Sequence, residues 1–134
     1  MFTKLISHIN SLLASSLTLK KKISYIDSNS DLNYISSCLA KEGIIGLDTE
    51  FDWRNTYFPK LSLLQISTKS DIFLIDCLNC SNFKKLKNVL EDRKVLKVFH
   101  SIRSDATVLS KCLNIFVNNT FDIQLAQKML NRGE

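Results

Sequence analysis

Asp48, Glu50 and Asp105 are the residues whose types and spacing could do chemistry. Asp48 and Glu50 stand two apart at the end of the apolar run Ile44-Ile45-Gly46-Leu47, which is entered through Gly43. A run rich in Ile and Leu reads as a buried strand. Alternation along a strand puts Asp48 and Glu50 on one face and Thr49 on the other. Neighbouring carboxylates repel, and burying them is costly unless they are paired or bind a cation. The pattern therefore suggests a divalent metal held by hard oxygen ligands; the plainer alternative is a strand running out into an acidic turn. Asp105 closes the segment His100-Ser101-Ile102-Arg103-Ser104-Asp105, between a strand and a helix. A helix N-terminus favours negative charge, which by itself accounts for an acid there. If the two strand ends lie side by side, Asp105 approaches the other two carboxylates. Three converging carboxylates are hard to keep ionised without a cation. They suit two divalent ions about 4 Å apart, an arrangement that serves in-line attack on a phosphodiester.

The elements that must position these residues follow from periodicity and turn chemistry. Ile23 to Ile26 is a short extended piece. Ser28, three residues before Asp31, has capping-box spacing and opens a helix over residues 31–41, with Leu32, Ile35 and Leu39 inward and Gly43 at its stop. After the Asp48–Glu50 strand comes a loop, residues 52–60, dense in Trp53, Arg54, Tyr57 and Phe58 and closed by Pro59. Residues 61–67 and 71–76 read as strands joined tightly through Thr68-Lys69-Ser70, hence antiparallel. Phe83, Leu86, Val89 and Leu90 mark a helix, and residues 95–99 a strand. Residues 104–116 form a helix with Val108, Leu109, Cys112, Leu113 and Phe116 on one side. Residues 120–123 make a short strand passing into a helix over 124–130. A three-strand meander followed by alternating helices and strands predicts a mixed α/β sheet with helices packed on its faces. A helix starting near residue 124 of 134 leads us to expect a C-terminally incomplete domain.

Composition limits the partners. The chain has 134 residues, 45% hydrophobic and 23% charged, which suits one soluble domain with a real core. No apolar run reaches the roughly 18 residues needed to span a bilayer, so no membrane partner is expected. The net charge of +5 is concentrated at the N-terminus. Residues 1–26 hold Lys4, Lys20, Lys21 and Lys22 and no acid, leaving 14 bases against 13 acids beyond them. The sign of the charge therefore decides little about partners. Residues 1–22 carry Phe2, Leu5, Ile6, Ile9, Leu12, Leu13 and Leu17 at helical spacing, without the h-region or cleavage site of a signal peptide. They read as an extension, a peripheral helix or a poorly ordered segment, preceding a domain over residues 23–134. Cys77 and Cys80 form a C-x2-C with no second pair to complete a zinc site. Cys38 and Cys112 fall on apolar helix faces, where free Cys behaves as a small hydrophobe. Unpaired thiols point to a reducing, cytoplasmic compartment.

Three ordered segments carry a resemblance. The first is Leu47-Asp48-Thr49-Glu50-Phe51, then Tyr57-Phe58-Pro59-Lys60-Leu61-Ser62-Leu63-Leu64-Gln65-Ile66 and Phe73-Leu74-Ile75-Asp76, which together resemble the first motif region of ribonuclease D. Lys97-Val98-Phe99-His100-Ser101-Ile102-Arg103-Ser104-Asp105 is similar to that family's second motif, and Phe121-Asp122-Ile123-Gln124-Leu125-Ala126 to its following segment. The likeness covers residues 23–134 in the right order and spacing. It implies a ribonuclease H-like fold and membership of the DEDD superfamily of 3′–5′ exonucleases, which trim RNA from a free 3′ end with two Mg2+ or Mn2+ ions, as in tRNA-type processing. By position, the resemblance makes Asp48, Glu50 and Asp105 the catalytic metal ligands. Asp48 bridges both ions, Glu50 helps hold the ion that activates water, and Asp105 serves the second. It assigns the terminal nucleotide to the surroundings of Thr49 and Phe51 and to the loop holding Tyr57, whose aromatics could stack on a base. His100 is implied as a second-motif residue beside the substrate and not as the base. Asp122 is expected to support or cap.

The family's third motif, Tyr-x3-Asp, does not occur after Asp105 in these 134 residues. Its Asp completes the metal site and its Tyr orients the attacking water, so the 134-residue polypeptide alone is expected to show little or no exonuclease activity. The competing readings are an inactive fragment that binds nucleic acid or a partner chain and, more remotely, a zinc or redox module built on Cys77 and Cys80.

Overall fold

Residues 21–54 and 57–131 are described by a computed structural model. The expectations for the N-terminal segment 1–20, and for the loop positions Asn55 and Thr56, lie outside the described residues. The elements run β1 (Lys22–Ile26), α1 (Asn29–Leu39), β2 (Ile44–Asp52), β3 (Lys60–Ser67), β4 (Asp71–Asp76), α2 (Lys84–Glu91), β5 (Leu96–Phe99), α3 (Ile102–Leu113), β6 (Thr120–Asp122) and α4 (Ile123–Leu130). This is the order that the sequence pattern predicts, and boundaries move by no more than three residues.

One six-stranded sheet runs β1-β4-β3-β2-β5-β6. The meander β2-β3-β4 is antiparallel, and β1, β5 and β6 add in parallel. β2 therefore lies inside the sheet, between a hairpin partner and a crossover partner. Its inward positions Ile45 and Leu47 join Leu64 and Ile66 of β3, Ile75 of β4 and Phe99 of β5 in the buried core. Leu32, Ile35 and Leu39 of α1, Leu86, Val89 and Leu90 of α2, and Val108 and Leu109 of α3 complete it. The opposite face carries Ile44, Asp48, Glu50, Leu63, Gln65, Ile72, Leu74 and Val98, all exposed or half-buried. Among the described residues, the covering helices thus pack on one face of the sheet, and the acids of β2 lie on the other.

Local chemistry explains the boundaries. Ser28 caps α1, accepting the Asp31 N–H at 3.2 Å and donating its hydroxyl to Asp31 Oδ2 at 2.7 Å. Gly43 is not the helix stop: the C-cap is Ala40, and no described glycine takes a positive φ. The inward stripe of α1 is Leu32, Ile35, Ser36 and Leu39, which leaves Cys38 exposed, contrary to the expected apolar placement. α3 also ends earlier than its apolar pattern suggests. Asn114 enters the left-handed region at φ 52° and returns its N–H to Ser110 O at 3.1 Å. The turn drives Ile115 into the core and leaves Phe116 61% exposed, so Phe116 is not part of the helix face. Cys112, in the last turn of α3, is exposed as well, with Sγ 3.0 Å from Pro59 O. Cys77 is half-buried, Cys80 is buried, and all four cysteines are free.

A lysine is fully buried in β5. Lys97 is 0% exposed and donates from Nζ to Asp92 O at 2.6 Å and Val95 O at 2.8 Å. Burial pushes its pKa down, partly opposed by Asp92. No helix among the described residues is long and apolar enough to cross a membrane.

Candidate active site

The site is built where β2 outruns β5. The parallel pairing of β2 with β5 covers only Ile44 to Gly46. Beyond Gly46, the side of β2 facing β5 has no ladder partner, and backbone donors there need another acceptor. Asp105, in the first turn of α3, supplies it. Its Oδ1 accepts the Thr49 N–H at 3.0 Å and the Thr49 hydroxyl at 2.6 Å. Thr49 and Asp105 are each 6% exposed. The structure thus brings Asp105 against the one residue that separates Asp48 from Glu50.

Asp48 and Glu50 point to the other face, exposed, as strand alternation predicts. Asp48 Oδ2 accepts from Gln65 Nε2 at 3.3 Å, a long contact from the cross-strand neighbour. A register shift falls between Glu50 and Phe51, where Glu50 pairs with Leu63 but Phe51 with Leu61. Ser62, the extra residue, donates its hydroxyl to Glu50 O at 2.8 Å. Bulges of this kind bend a strand and re-aim its side chains. Here the bulge sits directly after the second acid.

Both donors of Thr49 are engaged by Asp105 on the helix-covered side. Phe51 is half-buried and meets Trp53 edge-on, with ring centroids 5.9 Å apart. Trp53, Arg54, Lys60 and Leu78 line an open cleft of about 660 Å3 that has Glu50 at its wall. Arg54 pairs with Asp52 at 3.1 Å. The pair lowers the Asp52 pKa, chiefly through the Arg54 side-chain hydrogen bond; at such an exposed position it adds little to stability. Tyr57 is 90% exposed and packs edge-on to Phe58 at 5.0 Å. Both rings line a second recess of about 700 Å3, together with Pro59, Cys77, Cys112 and Leu113. Trp53 and Arg54 thus line one hollow and Tyr57 and Phe58 the other, with Lys60 and Leu78 common to both. His100 is exposed at the C-terminal end of β5, next to Ser101, whose φ of 67° is left-handed.

Asp122 has the capping role that the sequence suggests, and more contacts than a single cap. Oδ1 accepts the N–H groups of Ser101 at 3.0 Å, Gln124 at 2.9 Å and Leu125 at 3.2 Å, and Oδ2 that of Ile102 at 3.0 Å. Burial pushes its carboxyl up, but these four backbone donors outweigh burial and hold it below the usual carboxylate range. Gln65, Ser62 and this double cap are the site contacts that sequence reasoning missed. Cross-strand register and the bulge exist only after pairing, and no local pattern announces them.

The donor set is all carboxylate oxygen, which suits a hard divalent ion such as Mg2+ or Mn2+. Among the described residues, no group of three or more His, Cys, Asp or Glu side chains lies close enough to hold an ion. The three acids therefore meet through the Thr49 backbone and not as a closed cage. The C-x2-C pair gathers no further ligand either, and Cys77 is pushed up to about 12 by burial.

The sequence profile of a family described as 3′–5′ exonuclease matches residues 23–134. A ribonuclease D from Desulfotalea psychrophila is 34% identical over 107 residues, covering 79% of this chain and 29% of that protein. The catalytic core of RRP6 from Trypanosoma brucei superposes with a TM-score of 0.80 at 29% identity, over 84% of this chain and 32% of that one. Trypanosoma brucei RNase D, solved in complex with the RNA U12, superposes with a TM-score of 0.75 at 25% identity, over 84% and 41%. The chain therefore spans less than a third of the curated relative's length.

Proposed function

The chain belongs to the 3′–5′ exonuclease family and has a ribonuclease D-like, DEDD-type domain with a ribonuclease H-like fold, and from this we propose that it serves phosphodiester hydrolysis at the 3′ end of RNA. The observation that carries the reading is the double hydrogen bond from Thr49 to Asp105. It draws a carboxylate 56 residues downstream onto the backbone between Asp48 and Glu50.

In this reading Asp48, Glu50 and Asp105 hold two Mg2+ or Mn2+ ions, which when bound supply an activated water and neutralise charge on the scissile phosphate. The chain's own residues do the rest. Thr49 fixes the carboxyl plane of Asp105 through Oδ1, and among the described residues Oδ2 is left without a hydrogen bond. Gln65 steadies Asp48 from the neighbouring strand. The register shift turns Phe51 and Trp53 toward the cleft beside Glu50, where their faces and the exposed ring of Tyr57 suit the bases of a single strand. Lys60 adds positive charge for the backbone, and Arg54, paired with Asp52, presents its guanidinium at the same cleft. His100, exposed at the end of β5, would contact the substrate in this reading.

The test is Mn2+-dependent recognition of an RNA 3′ end. The 134-residue chain should bind a short single-stranded RNA with a 3′-hydroxyl about tenfold more tightly in Mn2+ than in EDTA, a difference of about 1.4 kcal/mol. Circular RNA of the same sequence should gain little. Asp48→Asn and Asp105→Asn should each abolish the gain. Equal binding in Mn2+ and EDTA would refute the reading. Trimming by these residues alone should stay at trace level, since no Tyr-x3-Asp follows Asp105. Robust Mn2+-dependent shortening of 5′-labelled RNA that Asp48→Ala abolishes would overturn that expectation. A second reading, an RNA- or partner-binding unit without turnover, is favoured by the lack of a closed three-carboxylate cage among the described residues. It predicts RNA binding that ignores both metal and the 3′ end.

A further inference from the structure

We infer that Asp122 is a positioning residue for Asp105: by capping α3 and α4 together, its carboxylate sets the turn that delivers Asp105 to Thr49. α3 begins at Ile102, and its own N-cap, Ser101, makes no side-chain capping bond. Ser101 also takes a left-handed conformation at φ 67°, ψ 61°, which a residue with a Cβ adopts only at a cost. An uncapped helix start in a strained turn does not hold its first turn rigidly.

The missing cap arrives from β6. Asp122 accepts the N–H groups of Ser101 and Ile102 at 3.0 Å each, the two donors that the strained turn exposes. The same carboxylate accepts Gln124 and Leu125 N–H and so caps α4. One side chain thereby ties two helix starts to the end of β6. β6 is itself in register with β5, Phe99 opposite Asp122, so the anchor is fixed to the sheet that carries β2. Asp105 stands three residues after Ile102, on the same side of the first turn. Its reach to Thr49 depends on where that turn sits. Without Asp122, the Ser101 turn loses its acceptors and can relax toward ordinary backbone, moving the first turn of α3.

Hydrogen exchange at the Thr49 amide tests this directly, because that N–H is held by Asp105 and by no ladder carbonyl on that side. In the full 134-residue chain, Asp122→Ala should raise the Thr49 exchange rate about tenfold under conditions where it remains folded, with the amides of Leu64 and Ile66 little changed. Asp122→Asn, which can keep an oxygen at the Oδ1 position and loses only the Ile102 bond, should raise it about threefold and serves if Asp122→Ala does not fold. Ser28→Ala, which removes the cap of α1 and shares no hydrogen bond with Thr49, Asp105 or Asp122, is the control: it lowers stability and should leave Thr49 exchange unchanged relative to Leu64 and Ile66. A second arm rests on the proposed function. Mn2+ affinity should fall about tenfold in Asp122→Ala, the range found when groups that orient metal ligands are removed, and be unchanged in Ser28→Ala. Thr49 protection that survives in both Asp122 variants would overturn the inference, as would an equal loss of protection or of Mn2+ affinity in Ser28→Ala. Failure of the unaltered chain to bind Mn2+ would count against the proposed function alone, since the exchange arm needs no metal.

Discussion

The Thr49–Asp105 contact allows the most direct test of how the site is held. Asp105→Ala removes the acceptor of two buried donors, the Thr49 N–H and hydroxyl. The hydroxyl can rotate to another partner, but the N–H cannot. A buried N–H left without a partner costs about 1–3 kcal/mol, and a hydrogen bond to a charged group contributes about 1.5–3 kcal/mol. These terms overlap, so the expected loss is about 2–4 kcal/mol, a large part of a typical domain's stability. Asp105→Asn keeps a carbonyl oxygen at the Oδ1 position and both bonds, and loses only their charge assistance. Its cost should be about 1 kcal/mol. With a urea m-value of about 2 kcal/mol/M for a chain of this size, the alanine variant should unfold about 1–2 M earlier and the asparagine variant about 0.5 M earlier, with m unchanged. Both should lose Mn2+-dependent RNA binding. An asparagine variant as unstable as the alanine one, or an alanine variant within about 0.3 M of the parent, would refute the claim that this bond pair fixes Asp105.

The other predictions follow from groups whose environments are unlike water. Asp76 is held below the usual carboxylate range, chiefly by the Tyr25 hydroxyl 2.6 Å away, and Asp122 is held low by its four backbone donors. A depressed folded pKa stabilises above the unfolded value of about 3.9, and that contribution is lost as pH falls through the folded value; urea midpoints should drop steeply below about pH 4, and less steeply in Tyr25→Phe. Lys97, whose folded pKa is lowered from 10.5 by burial, gives the same sign of pH dependence in a higher window. The unfolded chain binds more protons in the window below 10.5, so stability should rise with pH there, and Lys97→Met should flatten that rise. A thiol reagent at pH 8 should modify exposed Cys38 and Cys112 first and reach Cys77, pushed up to about 12 by burial, and buried Cys80 only on unfolding; a fast reaction at Cys80 would contradict the packing described.

What was legible in the sequence had local causes. The Ser28 cap, the tight Thr68-Lys69-Ser70 connection and the 3.6-residue stripes of α1 and α2 are interactions within a few residues of one another, and the structure has them all. The exposure of Asp48 and Glu50 on one face likewise follows from period two. The misreadings came where local pattern met tertiary geometry. Phe116 continues the apolar spacing of α3, but the left-handed Asn114 ends the helix and reverses the faces of the next two residues. Cys38 lies beside an inward leucine, yet one helical step of 100° takes it out to solvent. The partner of Thr49 is likewise a tertiary matter: strand parity turns it to the side where α3 arrives, and Asp105 meets it there.

That parity explains why the third acid comes from a helix at all. The helices that fill the core pack on one face of the sheet, whereas Asp48 and Glu50 stand on the other. A carboxylate from the covered side could join them only by passing through the sheet or around an edge of β2. β5 leaves such an edge by stopping its pairing at Gly46. The first turn of α3 occupies the gap, and Asp105 meets the strand at its backbone instead of at a side chain. The short β5, the strained Ser101 turn and the cap from Asp122 then form one device. Each would be a defect in a sheet built for stability alone, and together they place a buried carboxylate beside two exposed ones. Lengthening the β2–β5 ladder should therefore harm the site: pairing beyond Gly46 would place a strand carbonyl where Asp105 now accepts the Thr49 N–H.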